Sequence, residues 1–313
     1  MKKFNGSFYN QSIISVDQFT RSDIELLFTK TGEFKRGIEN NLVFNDLKGK
    51  VMTALFYEPS SRTFGSFCAA AYRLGAGIIP IHGVSNTSVV KGESLKDTIN
   101  IFQNYSDVVI LRHPDKGAVK KASKYAHIPV INGGDGTGEH PSQALLDLYT
   151  LEDKLGKVDG SIIGMVGDLY YGRTVHSLAK LLSLYKNITI YCIAPPVSPM
   201  PKEIVAKATK KGVKVKTAKT IEEVITKVDV LYMTRVQKER MKPEIYEKIK
   251  DSFKLTKKLA NKMKKKSLIM HPLPRVGEIT EDVDENPRAM YLKYQMQNGM
   301  FVRMAILKLV TTK

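Results

Sequence analysis

At 313 residues the chain is too long for one ordinary core and long enough for two domains of about 150 residues each. Its 42% hydrophobic and 26% charged content reads as a soluble globular protein; Arg73 and His82 keep the longest apolar stretch short of the roughly 18 residues a membrane span needs. A formal charge of +18 raises nucleic acid as a partner, but no RNP-like aromatic pattern, helix-turn-helix signature or Cys/His finger accompanies it, so none is expected.

The opening Met1-Lys2-Lys3-Phe4-Asn5-Gly6 carries charge without an apolar h-region behind it, which argues against a signal peptide. Apolar, β-branched runs then predict buried strands at Val51–Tyr57, Gly77–Ile81, Val108–Leu111 and Pro129–Ile131. Further on they predict strands at Ser161–Val166, Ile188–Ile193, Val213–Val215, Val228–Met233 and Ser267–Met270. Helical periodicity separates them, as in Phe67, Ala70, Ala71 and Leu74, or Val175, Leu178, Leu181 and Leu182. Such alternation implies parallel sheets with right-handed crossovers, hence an α/β, doubly wound architecture. Two such domains are expected, 1–140 and 141–296, joined by a helix over Pro141 to about Leu155, with the site in the cleft between them. The lysine-rich stretch Lys242–Lys266 reads as helix with a solvated basic face. The two cysteines, Cys68 and Cys192, read as buried free thiols in a reducing, cytoplasmic setting.

In open α/β sheets ligands bind beyond the carboxyl ends of the strands, and here six such positions carry polar loops. They are Glu58-Pro59-Ser60-Ser61-Arg62-Thr63, Arg112-His113-Pro114, Asn132 to Gln143, Gly167 to Arg173, Thr234-Arg235-Val236-Gln237 and His271-Pro272-Leu273-Pro274-Arg275. Five of the chain's 11 arginines fall there, where a planar bidentate donor suits an anion. Ser60 to Thr63, between a strand and an amphipathic helix, gathers hydroxyls and free N–H groups where phosphate binds. A plain serine N-cap would leave the same residues. Arg112 and His140 suit donation to one carbonyl oxygen, as acyl transfer requires; singly, they read equally as a surface ion-pair residue and a loop histidine. Arg173 and Arg235 suit two carboxylates, and read singly as domain-bridging ion pairs. No nucleophile or metal constellation is visible, so direct attack by positioned substrates is indicated, with no cofactor or metal expected.

Phe56-Tyr57-Glu58-Pro59-Ser60-Ser61-Arg62-Thr63 followed by Ser66-Phe67 resembles the carbamoyl phosphate signature of the aspartate and ornithine carbamoyltransferases. Asp135-Gly136 together with His140-Pro141-Ser142-Gln143-Ala144-Leu145-Leu146-Asp147 is similar to the second signature of that superfamily. Met233 to Arg240 and His271-Pro272-Leu273-Pro274-Arg275 resemble the aspartate branch; the ornithine branch would show His-Cys-Leu-Pro. The resemblance covers nearly the whole chain.

It implies transfer of a carbamoyl group from carbamoyl phosphate to L-aspartate, in pyrimidine biosynthesis. Ser60, Ser61, Arg62 and Thr63 would hold the phosphate, while Thr63, Arg112 and His140 polarise the carbonyl and Gln143 contacts the amide nitrogen. Arg173, Arg235 and Gln237 would hold the aspartate carboxylates, and the Leu273–Pro274 backbone would touch the substrates. Ser88 and Lys91 match a pair that the family supplies from a neighbouring chain of a homotrimer. Glu58 matches a residue that bridges the domains on closure, with Arg173 and Arg240 as partners. The C-terminal helix, 297–313, would pack back on the first domain. Pro114-Asp115-Lys116-Gly117-Ala118 resembles the loop that receives a separate regulatory chain in some members. Two departures stand out: Cys68 where the family has glutamate, and Gly277 where it has an acidic residue.

Overall fold

The computed structural model describes residues 3–85, 87–237, 242–249 and 253–313. It divides into two compact units: Met1–Ser142 with Gln297–Lys313, and Gln143–Met296.

The first unit opens with helix α1 (Arg21–Glu39), started by a capping box in which Thr20 and Asp23 satisfy each other's backbone N–H groups. There follow β1 (Val51–Phe56), α2 (Ser61–Arg73), β2 (Gly77–His82), α3 (Leu95–Phe102), β3 (Val108–His113), α4 (Ala118–Ala122) and β4 (Val130–Asp135). The four strands are parallel in the order β2-β1-β3-β4. Both faces of such a sheet are covered by crossover helices, which is why β1 and β3 are continuous apolar runs rather than alternating ones. Leu55, Ile99, Val109, Leu111, Val119 and Val130 form a core on one side. Winding reverses between β1 and β3, so a crevice opens at their carboxyl ends.

The chain leaves this unit within α5 (Pro141–Leu155). The second unit holds β5 (Ile162–Val166), α6 (Arg173–Leu182), β6 (Thr189–Ile193), α7 (Lys202–Lys210), β7 (Lys214–Thr217), β8 (Val230–Met233), α8 (Pro243–Ile249), α9 (Lys257–Ala260) and β9 (Leu268–Met270). Its five parallel strands run β7-β6-β5-β8-β9, reversing between β5 and β8. Val166, Ile193, Leu231, Met233, Ile269 and Tyr291 lie in its core. Helix α10 (Tyr294–Thr311) returns the chain to the first unit, where Asn10 N–H donates to Val310 O at 2.9 Å.

The nine predicted strands and the doubly wound class are all present. Several readings need correction. The strands β2 and β7, expected to be buried, lie at sheet edges and contain no buried residue, and Arg112–His113, expected as loop, ends β3. Asn132–Asp135 is the buried second half of β4 rather than loop, since Gly133 lies against β3 where a Cβ would approach Leu111 O to 3.3 Å. Lys242–Lys266 is not one helix: between α8 and α9, Leu255 is fully buried and forms a parallel bridge with Ile279. Burial of that leucine in the core overrides the helical spacing of its neighbours. Both cysteines are free, but only Cys192 is buried; Cys68 is half-buried on α2. Among the described residues, no helix is long and apolar enough to cross a membrane.

Candidate active site

In the first unit the predicted residues gather at the carboxyl ends of β1, β3 and β4. Ser60 is the N-cap residue of α2, yet its side chain makes no capping bond. Its hydroxyl and the first N–H groups of the helix are therefore turned to other uses. The Ser60 N–H lies 3.5 Å from His82 Nε2, and Ser61 and Arg62 are exposed on the first turn. Thr63 faces inward: it is 5% exposed, and its Oγ1 lies 3.2 Å from Nε2 of the equally buried His140. Arg112, the penultimate residue of β3, is 8% exposed. Its Nη1 donates to Gly133 O at 3.1 Å and its Nη2 lies 2.7 Å from Glu58 Oε2. Thus Glu58, expected to bridge to Arg173 and Arg240, is paired here with Arg112; Arg240 lies outside the described residues.

The loop that delivers His140 is fixed by its own carboxylates. Asp135 Oδ1 accepts from Glu139 N–H at 2.7 Å, and Glu139 accepts from Ser15 Oγ and Val16 N–H at 2.9 Å each. Gly136 adopts φ +51, where a Cβ would meet Pro114 O at 2.1 Å, so a side chain is excluded. Ser88 and Lys91 sit apart on a short 3-10 turn, both exposed; among the described residues neither is bonded into the Thr63–His140 cluster.

In the second unit Arg173 opens α6 after β5, Arg235 and Gln237 follow β8, and Leu273–Pro274 follows β9. These are three adjacent strands, so all three side chains and the Leu273–Pro274 backbone share the carboxyl end of the sheet. Gly167, at φ +110, lets the end of β5 approach β8: a Cβ there would lie 2.2 Å from Thr234 O. Arg173, Arg235 and Gln237 are each half-buried. The Leu273–Pro274 peptide is cis and Leu273 has φ +58.

Gln143, 6% exposed, donates through Nε2 to Asp147 Oδ1 at 2.9 Å. That bond fixes the amide so that its carbonyl oxygen is the end left for a ligand's N–H. No role is assigned to Asp147 from its place in the second signature, although it stands one helical turn after Gln143. It is fully buried and also accepts from Gln295 Nε2 and Tyr232 Oη, each at 2.7 Å. Burial first, and then this carboxylate, push the Tyr232 phenol well above its ordinary range. Tyr232, Gln295 and Glu278 also escaped the sequence reading, because polar residues scattered along a chain show no common destination before folding.

Two family models cover the chain. Residues 11–153 match the carbamoyl-P binding domain of aspartate/ornithine carbamoyltransferase and residues 159–310 the Asp/Orn binding domain. The aspartate carbamoyltransferase catalytic subunit of Thermococcus gammatolerans is 44% identical over 96% of this chain and 97% of its own length. Multifunctional protein pyr1-3 of Dictyostelium discoideum is 46% identical over 98% of this chain, which spans only 14% of that relative's length. Aspartate transcarbamoylase from Trypanosoma cruzi, in complex with carbamoyl phosphate and aspartate, superposes with a TM-score of 0.93 at 42% identity, covering 97% of this chain and 98% of that one. With both halves of the chain matched and its motif residues gathered at the ends of two switch-point sheets, the protein belongs to the aspartate/ornithine carbamoyltransferase family.

Proposed function

We infer that the chain transfers the carbamoyl group of carbamoyl phosphate to the amine of L-aspartate, giving N-carbamoyl-L-aspartate and phosphate for pyrimidine synthesis. The observation that carries this reading is the buried Thr63–His140 contact beside Arg112, next to the uncapped N-terminus of α2. Phosphate binds at Ser60, Ser61, Arg62 and Thr63, where the first N–H groups of α2, the helix dipole and a guanidinium converge. The carbamoyl oxygen takes hydrogen bonds from Thr63, Arg112 and His140, and the carbamoyl NH₂ donates to Gln143. The Leu273–Pro274 backbone contacts the substrates. Arg173, Arg235 and Gln237 hold the two carboxylates of aspartate.

The neutral amine of aspartate attacks the carbonyl carbon. As the C–N bond forms, charge develops on the carbonyl oxygen, and three positioned donors stabilise it there. The C–O bond to phosphate then breaks, and the departing phosphate accepts the amine proton. No covalent enzyme intermediate forms and no step calls on a cofactor. The first unit serves carbamoyl phosphate and the second aspartate, so holding both substrates in register is the main source of rate.

Steady-state assays with L-aspartate and L-ornithine test the acceptor. A cationic ornithine tail meets two arginines, so its kcat/KM should be lower by several kcal/mol; comparable values for the two would overturn the assignment. The enzyme is further proposed to be a cytoplasmic homotrimer in which Ser88 and Lys91 serve the neighbouring chain. The Pro114–Ala118 segment, exposed over Pro114–Lys116, is a docking point for a separate regulatory chain. Co-refolding Lys91→Ala with Arg62→Ala chains should regenerate some intact sites and recover activity. Mixed oligomers that stay inactive would place Lys91 in its own chain's chemistry or outside it.

A further inference from the structure

The loop from His271 to Glu278 has buried feet and an exposed crest. His271 and Glu278 are 1% and 8% exposed, whereas Val276 is 67% exposed and Pro274 is also exposed. Its crest holds Leu273 at φ +58, a left-handed conformation that a non-glycine residue keeps only where its surroundings over-determine it. Two side chains supply that constraint. His271 Nδ1 accepts from the Leu273 N–H at 2.8 Å, and Glu278 Oε2 accepts from the Val276 N–H at 2.8 Å. The two side chains are joined to each other, His271 Nε2 to Glu278 Oε1, at 2.6 Å.

This pattern leaves one protonation state. A backbone N–H aimed at Nδ1 requires that nitrogen to be unprotonated, so Nε2 carries the proton and donates it to the carboxylate. Each foot is also tied to the unit's core. His271 N–H donates to Gln295 Oε1 at 3.1 Å, and Gln295 donates in turn to Asp147, the residue that orients Gln143. At the other foot Leu255 N–H donates to Glu278 O at 2.9 Å. Between the two held N–H groups, Arg275 is anchored through both Nη atoms to Asp284, and Gly277, next to Val276, contributes no side chain, so the imidazole–carboxylate pair is what holds the Leu273 and Val276 N–H groups themselves.

We propose that His271 and Glu278 are positioning residues for carbamoyl transfer: the imidazole–carboxylate pair fixes the Leu273 and Val276 N–H groups and thereby aims the Leu273–Pro274 backbone at carbamoyl phosphate. The proposal rests on the reading that this backbone touches that substrate. Neither side chain touches a reacting atom; both act through the loop.

Two substitutions separate the role from mere stability. In His271→Asn the amide oxygen replaces Nδ1 as the acceptor for Leu273 N–H, whereas in His271→Gln the longer side chain reaches toward Glu278 and abandons it. The measurements are kcat, KM and calorimetric Kd for carbamoyl phosphate on the full chain, with Tm alongside. His271→Gln should lose about 100-fold in kcat/KM, the scale of a small misplacement of binding groups, while His271→Asn stays within about tenfold of wild type. A merely structural role would lower Tm and leave KM of the folded enzyme unchanged. Equal kinetics for both variants, or wild-type Kd and kcat/KM in folded His271→Gln, would overturn the proposal. If His271→Gln does not fold, Glu278→Gln decides. Its amide can accept from only one of the two donors, so about a tenfold loss, one hydrogen bond's worth, supports the proposal and an unchanged kcat/KM overturns it. Arg62→Ala run in parallel keeps the two claims apart: unchanged carbamoyl phosphate affinity there sinks the site reading itself, whereas its loss beside normal His271→Gln kinetics sinks only the positioning role.

Discussion

The two sheets are built alike at one end and differently at the other. At the amino ends the same device recurs. Asp107, just before β3, accepts from Val51 N–H at the start of β1 and pairs with Lys50 at 2.8 Å. Asp229, just before β8, accepts from Ile162 N–H at the start of β5 and pairs with Lys264 at 2.7 Å. At the carboxyl ends the likeness stops. The first unit presents buried, interlocked groups: Thr63 on His140, and Arg112 on Gly133 and Glu58. The second presents half-buried arginines, one opening α6 and one in the loop after β8. A site that is largely formed before its ligand arrives spends less free energy on ordering. The difference fits a first unit whose groups are set before a ligand arrives and a second whose arginines are less deeply buried.

The sharpest way to break this comparison is Arg62→Ala. It should weaken carbamoyl phosphate binding by about 2–5 kcal/mol, the cost of truncating one member of a charge pair that the ligand buries. Calorimetry with carbamoyl phosphate alone measures it, and an unchanged Kd would remove Arg62 from the phosphate site. Arg235→Ala is the counterpart in the second unit. It should raise the aspartate KM by about 1.5–3 kcal/mol, the worth of a hydrogen bond to a charged group, and leave carbamoyl phosphate affinity untouched. If both affinities fall together, the division of labour between the units is wrong.

Much of this was legible before folding, and the parts that were not share a cause. Strand–helix alternation is written in local apolar periodicity, so the nine strands and the doubly wound class could be read directly. Charged loops at strand ends could also be read, because each follows its strand in sequence. What joins distant segments could not. The order of strands depends on long-range pairing, as does the ending of β4 at Asp135 rather than Ile131. The brace from His271 to Glu278 and the convergence of Gln143, Tyr232 and Gln295 on Asp147 need the fold before they exist. Leu255 shows the same limit: its lysine-rich neighbours have helical spacing, yet its bridge to Ile279 pulls it out of any helix.

A smaller effect tests whether the first unit's groups are set in advance. Thr63→Val keeps the backbone N–H and the side-chain shape but deletes the hydroxyl that meets His140 Nε2. The expected result is a loss of about 1 kcal/mol in transition-state stabilisation, hence roughly fivefold in kcat, with carbamoyl phosphate affinity within a few-fold of wild type. An equal loss in Kd and none in kcat would make Thr63 a ground-state contact only.

The smallest expected effect concerns the second unit and sharpens the comparison from its other side. His176 on α6 is one helical turn beyond Arg173, and its Nε2 lies 2.7 Å from Leu169 O, so it ties the β5–α6 loop to the helix that carries the arginine. Burial, the largest cause, lowers its pKa below the ordinary 6.5, and the Leu169 carbonyl offsets this only in part. The sign follows from linkage. As pH falls through the ordinary histidine range, the unfolded chain takes up this proton before the folded one does. Stability is therefore complete above that range and declines as pH drops through it toward the lower folded value. His176→Gln can still donate to Leu169 O but has nothing to protonate. Thermal unfolding at about pH 7.5 and about pH 5.5 should show a larger drop in Tm for wild type than for this variant. Other titrating groups, including His113, whose pKa burial also lowers, are common to both proteins and cancel in the difference. If the two drops are equal, His176 is not the group that loosens the arginine-bearing loop in acid. The softness of the second unit would then lie in the arginines' own exposure.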